Sequence, residues 1–164
     1  MRLILPVVLM LPTLVQAETV LDLPYLQSAE TRFGTLSVGQ VQLDGYDGKQ
    51  LLLDGQPIDG PRDAYVDIQA LLPMPDGDAQ DWVLVTVAGG GNACPTLFAF
   101  VAVSATGAHA TEPFGTCSEG VLDLRQTESA FLALDMVGLS DDDVMLHTFT
   151  FDGNAVSEIV SPLP

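Results

Sequence analysis

Acid–base, nucleophilic or metal chemistry in this chain would have to come from two histidines, two cysteines and 22 carboxylates. A serine nucleophile needs a histidine base, and on one widespread scaffold it sits on a Gly-x-Ser-x-Gly elbow. No such elbow occurs here. His109, within Ala108-His109-Ala110-Thr111, reads as an exposed loop residue. His147 alternates in phase with Met145, Phe149 and Phe151, so it reads as a packed, hydrogen-bonded residue on an apolar strand face rather than as a base or ligand. Paired carboxylates about 5–10 Å apart can cleave glycosidic bonds. With 22 acids some pair will meet that spacing by accident, so acid spacing assigns no site. The sequence therefore predicts no catalytic residue.

Metal ligation is weighed on two clusters. Asp76, Asp78 and Asp81 occupy one Gly-containing stretch, and Asp141-Asp142-Asp143 precede a strand. Hard oxygen ligands of this kind suit Ca²⁺. Neither cluster, nor Asp44-Gly45-Tyr46-Asp47-Gly48, has the alternating acids, central Gly and later Glu of an EF-hand. No paired spacing supports zinc. The expectation is solvated turns and no metal site.

The Gly89-Gly90-Gly91-Asn92 stretch lacks the Gly-Lys-Ser/Thr ending of a phosphate cradle and reads as a wide hairpin connection. Its bare backbone amides can approach a partner closely, which makes it the candidate binding loop. Cys94 and Cys117 are the only cysteines, too far apart for a Cys-x-x-Cys redox pair. In an exported chain they are expected to form a disulfide, closing a loop of roughly 20 residues for about 3 kcal/mol of chain-entropy stabilisation. Gly90-Gly91-Asn92-Ala93-Cys94-Pro95 followed by Phe114-Gly115-Thr116-Cys117 resembles a pattern in small exported bacterial proteins. The resemblance spans only Gly89 to Cys117 and carries no active-site residue.

Export itself is predicted from the first residues. Met1-Arg2 is a basic start, Leu3 to Val15 is almost wholly apolar, and Val15-Gln16-Ala17 places small residues where signal peptidase cuts. Residues 1–17 read as a cleaved signal peptide and 18–164 as a single periplasmic or secreted domain, with no membrane span after cleavage. Once Arg2 is removed, four basic residues oppose 22 acids, a net charge of −18. Such a surface repels phosphate backbones and attracts cations or a basic protein, so a nucleic-acid partner is excluded on electrostatic grounds.

The elements that must position these groups read as strands. Leu36 to Leu43 alternates but slips phase at Gly39, which predicts a β-bulge there. Gln50 to Leu53 meets Asp54-Gly55 and returns through Gln56-Pro57-Ile58, a hairpin whose Pro suits an edge. In Tyr65 to Leu72, Val66, Ile68, Ala70 and Leu72 are expected inward and Asp67 and Gln69 outward. Trp82–Ala88 and Leu97–Val103 are apolar on both faces and should pair at the centre of a sheet or between layers. Val121–Leu124, Ala130–Met136, Val144–Phe151 and Ala155–Val160 complete the set, the last two turned at Asp152-Gly153-Asn154. Tyr25–Phe33 and Thr127–Leu134 are the candidates for a minor helix. The fold class is all-β, an antiparallel β-sandwich or small barrel with one disulfide. The function that fits is a non-catalytic binding module, inhibitor- or immunity-like, facing a basic protein. The alternatives are an envelope structural protein without a ligand, or a hydrolase using carboxylates or His147. A deep pocket lined by Trp82 or by tyrosines would count against the ligand-free alternative. Nothing in the pattern sets an oligomeric state.

Overall fold

The computed structural model describes residues 21–72, 74, 79–127, 132–138, 145–153 and 155–163. Among them every regular element is a strand: β1 (Ser28–Thr31), β2 (Gly34–Leu43), β3 (Tyr46–Leu53), β4 (Gln56–Asp63), β5 (Tyr65–Leu72), β6 (Gln80–Ala88), β7 (Leu97–Ser104), β8 (Gly107–Ala110), β9 (Val121–Gln126), β10 (Leu132–Val137), β11 (Met145–Phe151) and β12 (Val156–Pro162). Strands β1 to β8 form one sheet in the order β1-β2-β3-β4-β8-β7-β6-β5, and β9 to β12 a second in the order β12-β11-β10-β9. The eight-stranded sheet rolls into a nearly closed barrel. Its seam is drawn together ahead of β1, where Leu26 bridges Ile68 of β5 and its N–H donates to the Ile68 carbonyl at 2.8 Å. On the far side β4 meets β8 through a single parallel bridge, Asp59 to His109.

The central hairpin explains why its two strands are apolar all round. Val83 and Val85 of β6 join Ala99, Val101 and Val103 of β7 inside the barrel, with Leu36, Leu51, Val66 and Ile68. Trp82, Leu84, Phe98, Phe100 and Ala102 point the other way, into a second core shared with Leu132, Leu134, Met136, Phe149 and Phe151 of the four-stranded sheet. The small sheet is thus a lid on the outer face of β6 and β7. Period-2 alternation sends successive residues of one strand to opposite faces, so a strand between two cores must be apolar at every position. Aromatic rings tie the second core together. Trp82 meets Phe151 edge-on at 4.6 Å, and Phe114 lies 5.2 Å from both Phe100 and Phe149.

Turn chemistry follows the predicted sites. Asp54 and Gly55 both have positive φ, 49° and 80°, the mirror-image geometry that joins β3 to β4 without splaying them. Between β11 and β12, Gly153 takes φ 95° and the Asp152 carboxylate accepts the Ala155 N–H at 2.8 Å.

Three expectations are corrected. Gly39 is not a bulge: β2 and β3 pair in unbroken register from Leu36–Leu53 to Leu43–Tyr46. A Cβ on Gly39 would come within 2.5 Å of Leu52 Cδ1, so the glycine makes room for a cross-strand leucine. Register breaks elsewhere, between Gln50 and Leu52 of β3 against β4, between Asp135 and Met136 of β10 against β9, and through a bulge in β5 at Gln69, between Ile68 and Ala70. The β5 bulge reverses the phase: Val66, Ile68 and Leu71 face the barrel core, while Ala70 and Leu72 pack against the second core. Gln69, expected in solvent, is buried and donates to Thr86 Oγ1 at 3.2 Å. Finally, the helical reading of Tyr25–Phe33 gives way to β1, which pairs with β2 through a turn held by the Phe33 N–H and the Gly34 carbonyl on Thr31 Oγ1. Four residues carry too little local preference to resist the hydrogen bonds a neighbouring strand offers. Of the Thr127–Leu134 helix candidate, residues 128–131 lie outside the described residues, and Leu132 onward is strand.

Candidate functional site

The bulge at Gln69 and the reach of the lid decide where a site can form. The four-stranded sheet covers part of the outer face of β5, β6 and β7 and leaves the rest open. On that open part lie Tyr65 and Asp67 from β5 and Thr86 and Ala88 from β6, with the buried Gln69 beneath them. Tyr65 pairs with Ala88 and Asp67 with Thr86, which sets these side chains in adjacent rows. They floor a cleft of about 750 Å³.

Three irregular segments wall it. Leu21 to Tyr25 runs along one side, held by the Leu21 N–H on the Val121 carbonyl at 2.7 Å. Gly90, Gly91, Pro95 and Thr96 come from the β6–β7 connection, and Glu119, Gly120 and Val121 from the entry to β9. The Cys94–Cys117 disulfide joins these last two walls, as expected from the sequence, binding connections 23 residues apart. Gly90 has φ 73°, the left-handed region that favours glycine, and a Cβ there would meet the Tyr65 ring at 3.5 Å, an ordinary contact, so it is the backbone turn rather than space that calls for glycine. Of the predicted loop, Gly90 and Gly91 line the cleft, whereas exposed Gly89 and Asn92 do not.

The cleft is acidic and aromatic. Its carboxylates are Asp22, Asp67 and Glu119, and its lining contains no Lys, Arg or His. Tyr25 and Tyr65 are 74% and 55% exposed, so both rings are open to a ligand entering the cleft. Glu119 accepts from Thr96 Oγ1 at 3.2 Å. Asp67 accepts from Lys49 Nζ at 2.9 Å, and the same ammonium stands 5.9 Å above the Tyr65 ring. A ligand with a cationic head and an apolar stem matches these groups. The lining offers neither thiol nor imidazole for nucleophilic or base catalysis.

The other predicted residues lie elsewhere. Asp81, weighed as an oxygen ligand, is buried and fully engaged. It accepts from Arg32 N at 2.8 Å, Arg32 Nε at 2.9 Å, Arg32 Nη2 at 2.7 Å and Met74 N at 3.3 Å. Burial alone would raise its pKa. The hydrogen bonds from Arg32 and Met74 and the guanidinium charge outweigh it and hold the carboxyl below the ordinary range. This pair is a clasp between the β1–β2 turn and the start of β6, not a metal ligand. Asp76, Asp78, Asp141, Asp142 and Asp143 lie outside the described residues. Among the described residues no group of three or more His, Cys, Asp or Glu could hold a metal ion.

His109 is exposed as expected, but on strand β8 rather than in a loop. His147 is half-buried, with Nδ1 2.6 Å from Glu158 Oε1, and neither residue lines the cleft. Trp82, expected as a possible pocket wall, is core. Tyr25, Asp22, Asp67 and Glu119 were not singled out by the sequence as site residues. Tyr65 and Asp67 carried one usable signal, an aromatic and an acid on the outward phase of an otherwise apolar strand. Residues 22, 67 and 119 have no local relation that sequence could reveal. Among the described residues no helix is long and apolar enough to cross a membrane. No family model, curated protein or solved structure gives a significant match to this chain.

Proposed function

We propose that this protein is an exported, non-catalytic binding module that captures a basic segment of a partner protein in the cleft between Leu21–Tyr25 and the Gly90–Thr96 loop, as an inhibitor or immunity protein would. One observation carries the reading: two solvent-exposed tyrosines and three carboxylates converge on a cleft whose lining holds no basic residue. Aromatic faces take up the stem of Arg or Lys and attract its charge, and the carboxylates complete a charge-assisted contact. The cleft volume lies within the usual range for small-ligand sites, roughly 300–1,000 Å³, enough for more than one side chain. The net negative charge speeds the encounter with a basic partner. A ligand-free envelope role gives the two tyrosines of the cleft no task, and the histidine form of the hydrolase reading finds no imidazole among the lining residues.

The test is calorimetry with a synthetic peptide of alternating arginine and glycine. Binding should be saturable at physiological salt. Tyr65→Ala should weaken it about thirtyfold, the effect of losing a central aromatic contact worth about 2 kcal/mol. Glu119→Gln should weaken it markedly, while Asp44→Asn, which removes the same charge from the exposed β2–β3 turn, should not. Equal effects of the two charge removals, with binding lost at modest salt, would reduce the interaction to general attraction and reject the site.

A further inference from the structure

Lys49 is the only lysine in the sequence, and without lining the cleft itself it contacts two residues that do, Asp67 and Tyr65. It belongs to β3, which does not pair with β5, yet its ammonium bonds Asp67 at 2.9 Å and stands over the Tyr65 ring at 5.9 Å. In a domain with so few basic residues, one of them sits on a pair of cleft side chains that together make a cation site: an aromatic face and a carboxylate two residues apart on the same strand face. Both partners stay partly open to water, with 28% of the Lys49 side chain and 30% of Asp67 exposed. An ion pair so placed is weak and exchangeable. The face of one ring accommodates one cation well, because a second at the same place would meet like-charge repulsion.

Resting on the cleft reading above, we infer that Tyr65 and Asp67 form the cation-recognition subsite and that Lys49 is its intramolecular occupant, displaced when the ammonium or guanidinium of a basic partner enters. The internal cation serves two ends. It neutralises Asp67 in the free protein, and it sets a threshold that stray cations do not pass, since a ligand must bring enough further contact, on Tyr25, Asp22 and Glu119, to replace it. Specificity then comes from the partner's surroundings of the charged residue, not from charge alone.

The single lysine makes the test direct. Protein carrying ¹³C-lysine yields one ε-methylene resonance, shifted in the free protein by the Tyr65 ring. Titration with the arginine–glycine peptide should move it to the position of a solvated lysine, at the same concentrations at which calorimetry records binding. Lys49→Met should tighten peptide binding about five- to tenfold, the effect of removing one weak ion pair and one cation–π contact from the free state. Arg62→Met, an equal change of net charge at an exposed site, should alter affinity less than twofold. Binding by Lys49→Met but not by the unaltered protein would support the inference more strongly still. If the peptide binds while the lysine resonance stays put, or if Lys49→Met binds no better than Arg62→Met, Lys49 is a fixed ion-pair partner of Asp67 and the inference falls while the cleft reading stands. If neither form binds the peptide, both fall together.

Discussion

Replacing Asp81 with Asn tests how the barrel is closed. The substitution keeps shape and volume and removes the charge. The carboxylate accepts three N–H groups from Arg32 and one from Met74, and its side chain is 2% exposed. An amide has one acceptor oxygen. If that oxygen stays with Arg32 Nε, Nη2 and Met74 N, the new NH₂ confronts the Arg32 N–H, donor against donor. Breaking a buried ion pair from one side typically costs about 3–5 kcal/mol, because the remaining charge is stranded. Here the Arg32 side chain is 35% exposed and regains water, so the cost should fall to about 2–3 kcal/mol. With a urea m-value near 2 kcal/mol/M, that lowers the unfolding midpoint by about 1–1.5 M. The assay is urea unfolding of the oxidised protein followed by Trp82 fluorescence. Its pH dependence has a definite sign. The folded pKa of Asp81 is depressed, so its stabilisation is fully present above the unfolded value near 3.9 and is lost as pH falls through the folded value. The gap between unaltered protein and Asp81→Asn should be flat above about pH 5 and close below about pH 4. A variant within about 0.5 kcal/mol of the unaltered protein, with a parallel pH profile, would refute the clasp.

Two further outcomes follow from the same geometry. Cys94→Ser with Cys117→Ser, which releases a bridge across 23 residues, should cost about 3 kcal/mol in the same urea assay and also weaken peptide binding, because the bridge joins two walls of the cleft; a loss of stability with unchanged affinity would detach the disulfide from the site. Gly39→Ala should destabilise by about 1–2 kcal/mol through its 2.5 Å approach to Leu52 Cδ1, and Leu52→Ala in the same chain should recover part of that loss in a double-mutant cycle; strict additivity would show that Gly39 serves some other purpose.

What the residues determined by themselves about this protein is local. The period-2 alternation makes strands, Asp54-Gly55 and Asp152-Gly153 make turns, and strands apolar on both faces belong at the centre of a sheet or between two layers. With two cysteines only one pairing within the chain exists, and it forms. Tertiary structure decided the rest. Whether Gly39 bulges depends on a leucine in the next strand, and the Gln69 bulge on its register with β6. β1 and β8 are too short to announce themselves and exist because a neighbour's backbone awaits pairing. Asp81 reads as a surface acid until Arg32, 49 residues away, is folded against it. The cleft is the clearest case. Asp22, Lys49, Tyr65, Asp67 and Glu119 meet because the barrel curls and its lid stops short, and no spacing along a chain encodes where one sheet ceases to cover another.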